Sequence, residues 1–371
     1  MAEKEHSLSE NRVNRIGAEV RGACPEFDAE AFTRDVVADF PRLGLKDRIA
    51  RTSKGLHTHL PVSGLQAVDI LLRSLPATPE SAGITNDFGF YIYAPHSHFV
   101  GEHCRTGEDL EQALDALRRF TSYFSAEDAM RYFIADFPTE TFKVIESWTE
   151  DPDHRVRRLA SESTRPRLPW SVRIPVDLDA GIPILDRLYG DASRFVTQSV
   201  ANHLSDVAED NLPLVLDTLG RWRAEGRASA KGFDFIARQA LGTRLKKGDA
   251  AAYEFLGYPA DPPVELSPLC LESSQLRIGE RLVFAADLTA TGAAKLRVNY
   301  VLSSPTKTGK RRVKAYVLKT TAVQAGQTIE LSKQHALTST STVTLVPGTY
   351  TLEIQVNGRP SAPAEFHVAD V

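Results

Sequence analysis

WTEDPDHRVRRLASE (148–162) and LYGDASRFVTQSVAN (188–202) decide how this chain folds, because one pattern recurs in them at a spacing of about 40 residues. Asp151 falls on Asp191, Val156 on Val196 and Trp148 on Leu188. A further step of the same length puts Val196 on Ile236, in FDFIARQALG, with Arg238 in the place of Arg158 and Gln198. Each copy reads as an apolar helix, a short acidic or polar turn, and a second helix. Such a pair cannot bury its apolar face alone, so the copies stack into a HEAT-like solenoid whose second helices line one face.

Outward from the repeat the texture stays helical toward the N-terminus. FDAEAFTRDVVADF (27–40) spaces Phe27, Phe32, Val36 and Phe40 at roughly helical intervals and stops at Pro41. LGLKDRIARTSKGL, SGLQAVDILLRSL and EDLEQALDALRRFTSYF continue the pattern, while residues 79–106, rich in Gly, Pro and His, read as a loop-rich excursion. Toward the C-terminus, GYPADPPVELSP (257–268) breaks the helical period, and beyond it the period drops to two. RLVFAADLTA, KLRVNYVLSS, RRVKAYVLKT, TYTLEIQVNG and AEFHVADV read as strands separated by turn signals, the spacing of an immunoglobulin- or fibronectin-like sandwich. The expected organisation is an all-α helical-repeat solenoid over 1–258, a linker at 259–267, and a small all-β sandwich over 268–371.

The totals narrow the class. No apolar run approaches the roughly 20 residues of a membrane span. The polar start MAEKEHSLSENRVNR argues against a secretory signal, and Cys24, Cys104 and Cys270 are too few and too scattered for a disulfide framework. A bacterial cytosol is the expected location. From residue 265 onward there are 12 Lys/Arg against 8 Asp/Glu, leaving 32 against 40 in the body. A uniformly basic surface is excluded, so any nucleic-acid contact must come from local patches. There is no Walker loop, nucleotide fingerprint or GxSxG elbow.

Chemistry concentrates in DPDHRVRRLASESTRPRLPW (151–170). Val156, Leu159 and Ala160 form its apolar stripe, and Arg155, Arg158 and Glu162 share another face. Pro166 and Pro169 forbid helix, leaving Arg165, Arg167 and Trp170 on a rigid extended segment. Taken alone, the segment reads as an ion-paired surface with Trp170 plugging a core. The next repeat argues against that: Asn202 takes the phase of Glu162, and Asp206 follows one turn later, both turned away from the core positions Val200 and Leu204. Glu127, opening SAEDAMRYFI, is placed to reach the same surface, or else is simply an acid in a helix's first turn.

LGLKDRIARTSKGLHTHLP, FTSYFSAEDAMRYF, VRRLASESTRPRLPW, SVANHLSD and IARQALGTRLKKGDAAAYEFLGY together resemble the AlkC-type DNA alkylation-repair glycosylases, relatives of the HEAT-like AlkD proteins, over most of residues 25–257. The C-terminal strands resemble the immunoglobulin-like appendage that some members carry. The resemblance implies hydrolysis of the N-glycosidic bond of cationic alkylated bases in double-stranded DNA, such as 3-methyladenine and 3-methylcytosine. It implies no metal and no cofactor, and a lesion that stays stacked. Such a base is already a good leaving group, so what needs help is the oxocarbenium-like sugar, which a carboxylate stabilises, and the attacking water, which a carboxylate can orient. Glu162 is the first candidate, with Asp206 and Glu127 beside it and Trp170 as an aromatic contact. Arg155, Arg157, Arg158, Arg165, Arg167, Asn202 and Arg238 are candidate DNA contacts, Arg157 being the one most apt to point elsewhere.

The third repeat departs from the family pattern at Phe235, Gln239 and Gly242. Lys307, Lys310, Arg311, Arg312 and Lys314 make a basic hairpin in the sandwich, with Lys310, Arg312 and Lys314 expected on one strand face as a backbone clamp. His57, His59, His96, His98, His103 and Cys104 invite a zinc reading, but their spacing matches no standard site and no metal is expected. A monomer is expected. The competing reading is a catalytically silent helical-repeat protein that binds DNA structure or a protein partner.

Overall fold

In the computed structural model, Asp151 and Asp191 make the same bonds one repeat apart. Asp151 Oδ1 accepts from the backbone N–H of Asp153 and Asp191 Oδ1 from that of Ser193, both at 2.8 Å. The other oxygen of each is taken by an arginine of the preceding repeat: Arg118 Nε donates to Asp151 at 2.7 Å and Arg157 Nε to Asp191 at 2.6 Å. The aspartate thus fixes its own turn and ties it to the neighbouring repeat, which is why the sequence repeats it.

The structure describes residues 7–340 and 343–370. Two compact units divide at Ala240/Leu241. The first is helical: α1 (Glu10–Ala23), α2 (Ala29–Val37), α3 (Leu45–His59), α4 (Gly64–Ser74), α5 (Ala94–His103), α6 (Leu110–Phe120), α7 (Glu127–Asp136), α8 (Pro138–Ser147), α9 (His154–Ser163), α10 (Ile182–Leu188), α11 (Arg194–Ala208), α12 (Leu212–Glu225) and α13 (Ala230–Ala240). Alternate helices form one continuous layer, α3 on α5, α5 on α7, α7 on α9, α9 on α11 and α11 on α13. This is the stacked helical-repeat architecture that the sequence implied. Caps set several starts: Asp28 accepts from Glu30 and Ala31 N–H, Asp153 from Arg155 N–H and Asn211 from Leu214 N–H. Pro stands in the first turn of α8, α10 and α12, where its missing N–H costs nothing.

The stretch 79–106 is not only loop. It carries α5, which opens with Pro95 in its first turn and buries Ala94, His96, Ser97, Phe99, Val100 and Gly101. A helix buried on most sides shows no amphipathic stripe, so its period was not visible in the sequence.

The second unit is a two-sheet sandwich with two short helices attached, α14 (Gly242–Lys247) and α15 (Ala250–Phe255). In one sheet β4 (Arg281–Ala290) pairs with β7 (Thr328–Ala336) and with the short β1 (Val264–Leu266) and β2 (Cys270–Leu271). The other runs β3 (Gln275–Arg277), β10 (Ala364–Ala369), β8 (Gly348–Val356), β5 (Ala294–Pro305), β6 (Arg311–Val323), with β9 (Arg359–Pro360) also on β8. Leu282, Phe284 and Leu288 of β4 meet Leu296, Val298, Tyr300, Tyr350, Leu352, Ile354 and Phe366 between the sheets, as strands that alternate inward and outward require. Two short helices that precede residues 259–267, the linker expected from the sequence, group with the sandwich. Tyr253 is fully buried, and its hydroxyl accepts from Asn299 Nδ2, which also donates to Gln355. That buried polar link, and a Cβ-excluding approach of Gly358 to the Gly248 carbonyl, join α14 and α15 to the sheet.

Candidate active site

Glu162 ends α9 almost fully buried, and three donors converge on it. Arg165 Nη1 donates to Oε1 at 2.7 Å, Arg158 Nη2 stands 3.4 Å from the same oxygen, and Ser199 Oγ donates to Oε2 at 2.6 Å. Burial pushes this carboxyl up, and the two guanidiniums with the Ser199 hydroxyl outweigh it, leaving its pKa below the ordinary glutamate value. Arg165 also reaches α11, where Nε and Nη2 donate to the two oxygens of Asp206 at 2.8 and 3.2 Å. Arg158 reaches back to α7, with Nη1 3.1 Å from Glu127 Oε2, and Ser125 Oγ bonds both groups. Carboxylates from three successive repeats are therefore joined through two arginines.

They are not equivalent. Side-chain exposure is 3% for Glu162, 10% for Glu127 and 15% for Asp206. Burial raises the Asp206 pKa, and Arg165 offsets this only in part. Asp206 is the most open of the three, and its shift runs opposite to that of Glu162.

The extended segment after α9 is held from beneath by Arg131 of α7. Its fully buried guanidinium donates to Val172 O at 2.7 Å, Arg165 O at 2.6 Å and Ser163 O at 3.3 Å, while Nη2 has no partner among the described residues. Burial, then the charge of Arg165, lowers the Arg131 pKa to about 10. His203, buried against Ser161 O at 3.2 Å and walled by Gly181, is pushed by burial down to about 4 and is neutral at physiological pH.

Other candidates fall differently. Trp170 does not plug a core; it is 49% exposed, its carbonyl bonded by Lys46. Arg158, buried, and Arg165, partly buried, are engaged within the carboxylate network. Arg157 is occupied by Asp191, Asp151 O and Pro152 O. Arg155 lies beside Asp153, its buried Nε lacking a partner among the described residues. Arg167 Nη2 donates to both oxygens of Asp210, and Arg238 pairs with Asp234 within α13. Asn202 accepts from Gln198 at 3.0 Å and from Gln239 at 3.2 Å, so the departure at Gln239 still serves the face. Phe235 lies 3.7 Å under the Arg194 guanidinium, and Gly242 begins α14 in the second unit.

In the sandwich Lys310 sits in the turn before β6, its carbonyl accepting from Thr306 N–H, while Arg312 and Lys314 lie on the strand. Those two line a cavity of about 450 Å³ with Tyr316 and His335. Arg311 is folded back on Ser303 and Thr349 O, and Lys307 lies exposed in the turn. His57 and His103 stack at 3.9 Å, and among the described residues no three His, Cys, Asp or Glu side chains gather as metal ligands. No described helix is long and apolar enough to cross a membrane.

Sequence reasoning missed Ser125, Arg131 and Ser199. Only Ser199 carried a signal: it lies one turn before Asn202 and two before Asp206 on the same helix phase.

The chain is similar throughout to the Pseudomonas fluorescens alkylpurine DNA glycosylase AlkC, solved bound to DNA containing an abasic site analog: 30% identity, TM-score 0.89, 99% of each chain covered. It is 28% identical to the Bacillus subtilis (strain 168) uncharacterized protein YhaZ, over 99% of this chain and 100% of that one. Residues 265–370 match the family model for the YhaZ C-terminal Ig-like domain, which makes the sandwich immunoglobulin-like.

Proposed function

This chain belongs to the AlkC family, and on that premise we propose that it is a DNA glycosylase that hydrolyses the N-glycosidic bond of cationic alkylated bases, 3-methyladenine and 3-methylcytosine among them. The observation that carries the reading is the joining of Glu162, Asp206 and Glu127, from three successive repeats, through Arg165 and Arg158. A set of carboxylates held by fixed donors is already oriented before positive charge grows on the sugar, and preorganisation of that kind supplies much of the electrostatic stabilisation in enzymes.

The roles divide by environment. Asp206, the most open carboxylate and the one with a raised pKa, faces the developing oxocarbenium and takes the proton of the attacking water. Glu162 holds Arg165 and Arg158 in place and adds negative potential from beneath. Glu127 completes the anionic wall, and exposed Trp170 offers its π-face to the cationic nucleotide. The base leaves as a neutral molecule and needs no general acid. Arg155, Arg167 and Arg238 on the helical unit, with Lys307, Lys310, Arg312 and Lys314 on the sandwich, meet the phosphates. Neither a metal nor a cofactor enters the scheme.

The test is release of methylated purines and 3-methylcytosine from alkylated duplex DNA, with chelator present, by the intact protein and by Glu162→Gln and Asp206→Asn. Release by the intact protein that falls at least about 100-fold in Asp206→Asn, on the scale of general-base loss, supports the proposal. No release of any lesion by folded protein overturns it in favour of a silent DNA binder, the reading that the near-complete pairing of Glu162 would then favour.

A further inference from the structure

Phe88 is a large apolar side chain left 57% exposed on a backbone that is fixed on every side. Asn86 Oδ1 accepts from the N–H groups of Phe88 and Gly89 at 2.9 and 3.1 Å. Phe90 N–H donates to Tyr123 O at 2.9 Å, and Ser125 N–H to Phe88 O at 3.2 Å. Gly89 has φ +83°, and a Cβ there would stand 2.0 Å from Tyr123 O, so only glycine allows this approach. The loop is thereby stitched to the segment that leads directly into Glu127.

The ring is also tied to the carboxylates. Phe88 and Phe195 meet edge to face at 4.8 Å, and the Arg158 guanidinium carbon lies 5.5 and 4.9 Å from their centroids. That same guanidinium bonds Glu127 and Glu162. In the helical unit, Phe88 and Trp170 are the two most exposed large hydrophobics among the described residues. They come from opposite ends of the network, Trp170 from the segment of Arg165 and Phe88 from the loop against Arg158. One part of the ring packs on Phe195 and Arg158, and the exposed remainder is a rigid aromatic surface of the kind on which a base stacks. Beside a wall of carboxylates, the partner of suitable chemistry is a nucleotide, whose flat base stacks on any aromatic face and whose positive charge, when methylated, the ring also attracts.

We propose that Phe88 is a second aromatic substrate contact, its exposed face stacking on a nucleotide of the lesion-bearing duplex next to the carboxylate network. The inference rests on the glycosylase reading for its reaction, but not for the stacking itself.

Single-turnover release of 3-methyladenine from alkylated duplex DNA, followed against pH, compares Phe88→Ala, Phe88→Leu and Phe88→Trp with the intact protein. In parallel, 2-aminopurine beside an abasic-site analogue reports stacking by its fluorescence, with thermal melting to confirm that each variant is folded. Phe88→Ala and Phe88→Leu are expected to lose about 5- to 100-fold in kcat/KM, the scale of one base–aromatic stack, and to lose the 2-aminopurine response. Phe88→Trp should keep both, and the acid limb of the pH profile should not move. Full activity in Phe88→Leu, or a shifted acid limb with an unchanged 2-aminopurine response, would overturn the proposal and make Phe88 a support for Arg158. If the intact protein releases no base, the glycosylase reading fails alone. The 2-aminopurine response then supports or overturns the stacking contact.

Discussion

Arg165 and Asp206 form a two-point ion pair across neighbouring repeats, Nε to Oδ2 at 2.8 Å and Nη2 to Oδ1 at 3.2 Å, while the third nitrogen of the same fork holds Glu162. Arg165→Ala would leave two half-buried or buried carboxylates facing each other without the cation between them. A loss of about 3–5 kcal/mol is expected, as for removal of one partner of a buried pair, measured by urea unfolding. Arg165→Lys keeps the charge but not the planar fork, and should recover only part of the loss. A cost under about 1 kcal/mol for Arg165→Ala would mean that the pair behaves as a solvated one.

The two carboxyls linked by Arg165 have oppositely shifted pKa values, and this sets the pH dependence. Glu162 is lowered, so its contribution to stability is fully present above the unfolded glutamate value of about 4.3 and is lost as pH falls through its lower folded value. Asp206 is raised, so ionising it weakens the fold as pH rises from the unfolded aspartate value of about 3.9 through its higher folded value. On acidification Asp206 takes its proton out of order, above the pH usual for an aspartate. Activity that needs its carboxylate should therefore bend downward at a pH above about 3.9. A kcat/KM profile whose acid limb lies below that value would assign the base to another group.

The helical repeat was legible because the same turn is built twice. Asp151 and Asp191 each close an Asx turn and each accept an arginine one repeat back, and bonds of that kind force the same residue into the same place. The strands over 281–320 and 349–369 were legible through alternation; β7, whose TIELSKQHA buries only Leu331, carries too weak a pattern and went unread. Helix α5 was hidden because burial on most sides erases the stripe. At the site, Glu162 and Asp206 could be grouped from helical phase, with Glu127 only within reach of their surface, and the donors between the three could not be read at all. Arg131 acts on carbonyls 32 to 41 residues away, and the Ser199–Glu162 bond spans 37 residues. Such contacts are made by stacking, which a one-dimensional pattern does not encode.

Arg131 makes no ion pair within 4 Å among the described residues, yet three carbonyls of the segment carrying Arg165 and Trp170 depend on it. Arg131→Met removes the donors while roughly keeping the volume. A buried carbonyl left unsatisfied costs about 1–3 kcal/mol, a cost that falls on Ser163 O in full and on the part-buried Val172 O and Arg165 O in part, so both stability and local order should suffer. Hydrogen exchange over residues 163–173 should rise well beyond the change elsewhere. Equal exchange in the variant and the intact protein would show that the prolines alone hold the segment.

The basic hairpin makes a separable claim, since phosphate contacts reveal themselves through salt. Each lysine that neutralises a phosphate releases counterions and contributes about 0.9 to the slope of log affinity against log salt on duplex DNA. Lys307, Lys310 and Lys314 stand on or beside the β5–β6 turn, apart from the carboxylate network in sequence and in unit. The triple change to Ala should flatten the slope by roughly 2–3 and weaken binding to lesion and undamaged duplexes alike, because phosphates carry no sequence or damage information. The rate of base release at saturating DNA should hold. An unchanged slope would remove the hairpin from the DNA contact and leave it as charge that protects a sheet edge, whereas a slower chemical step at saturation would tie the sandwich to the reaction itself.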